Sequence, residues 1–160
     1  MKSLVRVALF GLLLGGLVSV ASADSLTTQC GAVLRTTTKT STATFTFNSQ
    51  AFVNVPNGVF TVNVPTGTQR CVTVTFSAST SCPLACFVRV LDGATEMEPA
   101  GVSNQLAEGN SDEVHSFQWV RRIGAGAHAI KLQIGTGGTA QNATIGPYTV
   151  NLEVLEAVGP

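Results

Sequence analysis

Carboxylates, histidines and cysteines are the side chains here whose types could support chemistry, and their spacing limits which chemistry that is. Six acidic residues, Asp92, Glu96, Glu98, Glu108, Asp112 and Glu113, fall within 22 positions. A loop rich in carboxylate oxygens can hold calcium, a hard cation that takes several oxygen ligands. Asp92, Glu96, Glu98 and Asp112 are the candidate ligands. Neither EF-hand nor repeat-type spacing accompanies them, and a solvated acidic loop explains the same residues. Glu96 and Glu98 share a strand face at period two, as the acid and base of a glycosidase could, but nothing else in the chain shapes a substrate cleft. Nucleophilic hydrolysis lacks its usual strand-turn-helix signature, since no Gly-x-Ser-x-Gly occurs. The expectation is a non-enzyme with no catalytic residue and no cofactor.

His115 and His128 flank a turn signal at Gly124-Ala125-Gly126. Mirror pairing about that turn sets His128 near Arg122 and His115 near Gly135, so the two rings do not converge on a metal. By parity His128 shares the face of Ile130 and Leu132, which reads as a partly buried structural histidine. Cys30, Cys71, Cys82 and Cys86 are even in number and read as disulfides in an exported chain. Of three connectivities we favour Cys82–Cys86, because Ser81 to Cys86 looks like a tight connection between two strands, which leaves Cys30–Cys71. Zinc wants closely spaced pairs of ligands, and only one such pair is present.

Export is read from the first 23 residues. Lys2 and Arg6 precede an apolar run, Val7 to Val20, and Ala21-Ser22-Ala23 closes it, the layout of a signal peptide cleaved after Ala23. The run is shorter than the roughly 20 residues a spanning helix needs. The mature chain is therefore expected to be secreted, extracellular or periplasmic, with no membrane span. It has 137 residues, enough for one core, and seven basic residues against nine acidic, a formal net charge of −2. Only Arg121 and Arg122 are adjacent, so the chain lacks the clustered cations that release counterions from phosphates, and nucleic acid is excluded as a partner.

The elements that position these groups have period two. Phe60, Val62 and Val64 alternate with Thr61 and Asn63; Val72, Val74 and Phe76 alternate with Thr73, Thr75 and Ser77; Tyr148, Val150, Leu152 and Val154 line one side of the last run. Such alternation of β-branched and aromatic residues describes half-buried strands. Short turn signals, including Pro56-Asn57-Gly58, Pro65-Thr66-Gly67 and Asp92-Gly93, separate the runs. About eight strands without a helical stretch predict an all-β, antiparallel β-sandwich of jelly-roll type over residues 42–160. Residues 24–41 are a Thr-rich arm or edge strand. The connections Thr95 to Asp112 and Gly135 to Ala143 are the longest, and loops on rigid sheets carry function.

One strand departs from simple alternation. Val88 and Val90 oppose Phe87, Arg89 and Leu91, so Phe87 to Leu91 is apolar on both faces and is expected to lie between layers or against a partner. Trp119 and Tyr148 are further candidates for a ligand or partner surface, because exposed aromatics can stack sugars; core packing competes for both.

From Phe60 to Leu155 the succession Val72-Thr73-Val74-Thr75-Phe76-Ser77-Ala78, Val88-Arg89-Val90-Leu91-Asp92-Gly93, Ser116-Phe117-Gln118-Trp119 and Gly124-Ala125-Gly126-Ala127-His128-Ala129-Ile130 resembles small secreted bacterial β-sandwich proteins of unknown function. More distantly it resembles the jelly-roll heads of the complement C1q and tumour-necrosis-factor group. That resemblance implies a self-associating module. Two functions follow as expectations. The first is a secreted binding or structural module that pairs with itself or with an extracellular protein. The second is a glycan- or calcium-binding module that uses the 95–112 loop.

Overall fold

The computed structural model describes residues 29–101, 105–138 and 142–159, and for Gln105 and residues 107–113 the backbone alone. The expected signal peptide and the side chain of Asp112 lie outside the described residues. The fold is all-β, with eight strands: β1 (Cys30–Ser41), β2 (Phe45–Phe47), β3 (Val53–Val64), β4 (Arg70–Asp92), β5 (Thr95–Glu96), β6 (Gln105–Ile123), β7 (Gly126–Thr136) and β8 (Ala143–Ala157). All pairings are antiparallel. No helix among the described residues is long and apolar enough to cross a membrane.

The alternating residues settle as their pattern predicts. Phe60, Val62 and Val64 point into the core, as do Val72, Val74, Phe76 and Ala78, and Tyr148, Val150, Leu152 and Val154. They join Val88, Val90, Ile130, Leu132 and Ile134 in one cluster. Full burial of a side chain of this size contributes roughly 1.5–3 kcal/mol, so this cluster is the main favourable contribution to the fold.

The strand order is β1-β8-β4-β7-β3, with β2 on β8 and with β5 and β6 on β4. One edge of β4 is shared: β8 pairs with Arg70 to Ser81 and β7 with Cys86 to Asp92. The other edge carries β6 along most of its length. A sheet whose middle strand changes partners halfway curls, and its two halves face each other across the core. Tyr148 on β8 donates from Oη to the Pro56 carbonyl on β3 at 2.5 Å. Lys39 on β1 donates from Nζ to the Val59 carbonyl at 2.7 Å and lies 4.2 Å from the Phe60 ring centroid. The outer strands of the two halves thus meet at a side-chain seam.

Both disulfides form as favoured, Cys30–Cys71 and Cys82–Cys86. The segment around the second is not a connection between two strands, however. β4 runs through it as one strand of 23 residues, because the β6 ladder continues across: Cys82 pairs with Gly109 and Ala85 with Glu108, leaving Pro83 and Leu84 as a bulge. The short bridge closes that bulge. Two other expectations change. Much of the connection from Thr95 to Asp112 is strand, in β5 and the first part of β6. The turn at Gly124 to Gly126 does not join a hairpin, since β6 pairs with β4 whereas β7 pairs with β3 and β4. Val120 lies opposite Thr73, and His128 lies opposite Val62.

Cys30 and Cys71 are 41 positions apart and tie β1 to β4. Closing a loop of that length restricts the unfolded chain by about 4 kcal/mol, against about 2 kcal/mol for the Cys82–Cys86 loop, if chain entropy dominates. Urea unfolding of the Cys30→Ala/Cys71→Ala double variant should therefore show the greater loss of stability of the two paired alanine replacements.

Candidate functional site

Period two leaves one side of each strand outside the core. On the half built from β3, β7 and the second part of β4, that outer side carries Arg89 between Phe87 and Leu91. Arg89 lies opposite Gln133 and donates to its Oε1 from Nε at 3.0 Å and from Nη2 at 2.9 Å. Gln133 in turn donates from Nε2 to Asn54 Oδ1 at 3.0 Å. One hydrogen-bonded row thus crosses three strands. The Arg89 guanidinium also sits 4.0 Å from the Phe52 ring centroid, a cation–π placement favoured by the ring quadrupole.

Phe87 and Leu91 are half-buried on this outer face. Val88 and Val90 are buried beneath them, so the strand is apolar on both faces as its sequence predicts. Gly137 makes room for the aromatic ring: a Cβ there would lie 2.6 Å from Phe87 Cε2. Leu84, on the adjacent bulge, is 43% exposed, and Val59, reached from Leu91 through Lys131, is 42% exposed. The result is a patch of two phenylalanines and aliphatic side chains around a fixed arginine.

The other aromatic candidates are buried. Trp119 is wholly buried and Tyr148 is 4% exposed, because both sit at inward parity, Trp119 opposite Val74 and Tyr148 opposite Ala78. Their expected role as a ligand or partner surface is thereby corrected to core packing. The Trp119 ring lies 5.9 Å from Phe117 and the Tyr148 ring 6.0 Å from Phe76.

Among the described residues the candidate carboxylates do not assemble either. Asp92 is bridged by His128 Nδ1, 3.0 Å from each carboxylate oxygen, and by Arg121 Nε at 3.4 Å. His128 Nε2 faces the Gly124 carbonyl at 3.0 Å. Glu96 accepts from the Gly101 N–H through Oε1 and Glu98 from the Ala100 N–H through Oε2. Each of these three carboxylates serves a local turn or corner, and no group of three or more potential metal ligands occurs among the described residues. His115 packs beside Phe117, with centroids 6.4 Å apart.

The Asp92 cluster joins three corners of the fold. Asp92 ends β4, His128 begins β7, Arg121 comes from the end of β6, and Gly93, at φ 62°, turns the chain so that its N–H donates to the Ala129 carbonyl at 3.0 Å. Sequence reasoning placed His128 correctly on the core face but did not pair it with Asp92. Asp92-Gly93 reads as a turn, and nothing in its spacing announces a histidine 36 positions away.

No protein-family model and no curated protein sequence matches the chain. Several solved chains are similar to part of it, among them two of a virus. One, of the infectious bursal disease virus Gx strain, is 16% identical over 78% of this chain and 37% of its own, with a TM-score of 0.36. The other, of the infectious bursal disease virus Gt strain, is 15% identical over 88% of this chain and 41% of its own, with a TM-score of 0.35. The chain thus spans about two-fifths of the length of each structure it matches.

A largely buried carboxylate shared by two partners couples them. Asp92→Ala should destabilise the protein by about 1–3 kcal/mol, since it removes the carboxylate that His128 Nδ1 bonds and the ion-pair partner of Arg121. His128→Ala should cost less than this. A double-mutant cycle in urea should return a coupling of at least about 0.5 kcal/mol; additive losses would separate the two residues.

Proposed function

We propose that this chain is a secreted, non-enzymatic β-sandwich module that associates with another copy of itself, or with an extracellular protein, through the outer face of β3, β7 and β4. The observation that carries this reading is the fixed row Arg89–Gln133–Asn54 flanked by Phe87, Leu91 and Phe52. Aromatic residues and arginine are enriched where protein surfaces meet, and they dominate binding energy when they are held in place before contact. Here the guanidinium is already oriented by two hydrogen bonds and a ring, so little side-chain freedom remains to be lost on association. Phe87 is likewise held against Gly137.

Export is supported by the N-terminal pattern at residues 1–23 and by two disulfides, which persist in oxidising compartments. The non-enzymatic part of the reading is supported by the uses found for the carboxylates and for His128. Asp92, Glu96, Glu98 and His128 each have a backbone or ionic partner within the fold.

Light scattering behind size exclusion tests self-association directly. The oxidised protein should elute as a dimer or larger closed species, and Phe87→Glu and Leu91→Glu should each convert it to monomer without lowering the melting temperature of the monomeric fold. A wild-type protein that stays monomeric at every concentration overturns self-association, and an oligomer indifferent to both variants places the contact elsewhere.

A further inference from the structure

The outer face that carries Phe87 and Leu91 has three charged side chains among the described residues: Arg89, Lys131 and Glu96. Register sets two of them in one row. Leu91 on β4 lies opposite Lys131 on β7 and, across its other edge, opposite Glu96 on β5. Val59 on β3 extends the row beyond Lys131. Met97, next to Glu96, is wholly buried, so alternation turns Glu96 outward with Leu91. A carboxylate and an ammonium thus flank Leu91, each on a neighbouring strand about 4.8 Å away. Neither is spent within the fold on an opposite charge. Glu96 accepts from the Gly101 N–H through Oε1 at 3.2 Å, and Lys131 makes no ion pair among the described residues.

We infer that this row pairs with itself: a second copy docks by a two-fold axis running along β4 over Leu91, so that Glu96 of each copy meets Lys131 of the other. The inference rests on the self-association proposed above and gives it a geometry. In a two-fold interface one patch serves both copies, and where residue i meets j, j also meets i. Rotation about an axis along β4 reverses the order of the strands across the row, which sets negative over positive twice. An axis across the strands keeps that order and sets Glu96 on Glu96 and Lys131 on Lys131, like charges that oppose docking. The charge pattern therefore selects the first axis. Leu91 then meets Leu91 and Phe87 meets Phe87, in the manner of sheets packed face to face. Arg89 shares β4 but does not oppose its copy. Its guanidinium leans toward β7, held by Gln133 and the Phe52 ring, so the rotation carries the two cations to opposite sides of the axis.

Charge exchange tests this by sedimentation equilibrium of the oxidised protein. Lys131→Glu and Glu96→Lys should each raise the dimer dissociation constant about ten-fold or more, because each turns two ion pairs into two like-charge contacts. An equimolar mixture of the two variants should dimerise about as tightly as the wild type, since one copy then offers two lysines to two glutamates on the other. The Glu96→Lys/Lys131→Glu double variant should regain self-association for the same reason. Should Glu96→Lys fail to fold, Glu96→Gln keeps an acceptor for the Gly101 N–H, and adding it to Lys131→Glu should tighten that variant's association. A dimer lost on Phe87→Glu but indifferent to both charge variants, or charge variants that are not rescued by mixing or by combination, overturns this geometry and leaves the proposed face standing. A wild-type protein that is monomeric at every concentration overturns both.

Discussion

Every other feature of the structure depends on the continuity of β4. A strand of 23 residues is long for a globular domain, where strands seldom exceed about ten residues. What makes the length tolerable is that no single sheet has to be that wide. β8 covers the first half of one edge and β7 the second, while β6 runs along the other edge and keeps the two halves in register. The bulge at Pro83 and Leu84 falls close to the exchange from β8 to β7. Bulges bend a strand and increase its twist, and the Cys82–Cys86 bridge limits how far this one can open. Without that bend the inward residues of the two halves, Phe76 and Val150 on one side and Val90 and Ile130 on the other, could not belong to one core.

Once the two halves face each other, period two determines what each outer surface carries. Around β4 the odd positions run Thr73, Thr75, Ser77 and Ser79 before the bulge and Phe87, Arg89 and Leu91 after it. One strand therefore supplies a neutral hydroxyl face to one half and an aromatic, cationic face to the other. The inner positions show no such division, being valine, phenylalanine, alanine or cysteine almost throughout. Core burial requires only apolar volume and explains the inner residues on both sides of the bulge. It does not account for the change of chemistry outside.

Much of this was legible in the sequence because alternation and turn residues act locally. The faces of Phe60 to Val64, Val72 to Phe76 and Tyr148 to Val154 follow from parity alone, and the two disulfides follow from number and spacing. Pairing partners are not local. The turn at Gly124 to Gly126 has the residues of a hairpin, yet β6 and β7 diverge because β4 offers β6 a ladder from Arg70 to Phe87, more than β7 alone could provide. For the same reason the disulfide segment looked like a turn: Pro83 lacks an N–H and ordinarily interrupts a ladder, but within a bulge it has no ladder bond to lose. Trp119 was legible in parity and ambiguous in role. Its face was certain once β6 was assigned, and only the partner across the core, absent from local sequence, decided that this face was interior.

Edge strands bear on how such a module can associate. A free edge exposes unpaired N–H and C=O groups that recruit other chains without discrimination. Here the β1 and β3 edges meet through Lys39, whose ammonium caps the Val59 carbonyl. The outer edge of β6 is covered at Val120, where Glu98 pairs with it in both directions, donating at 3.1 Å and accepting at 2.7 Å. Further back, the β6 register slips between Gly109 and Glu113, and an irregular edge is a poor template for a second strand. The backbone is thus used up or interrupted at several points where strand addition would begin. Side chains on the sheet faces remain available instead, among them Phe87, Arg89 and Leu91 on one half.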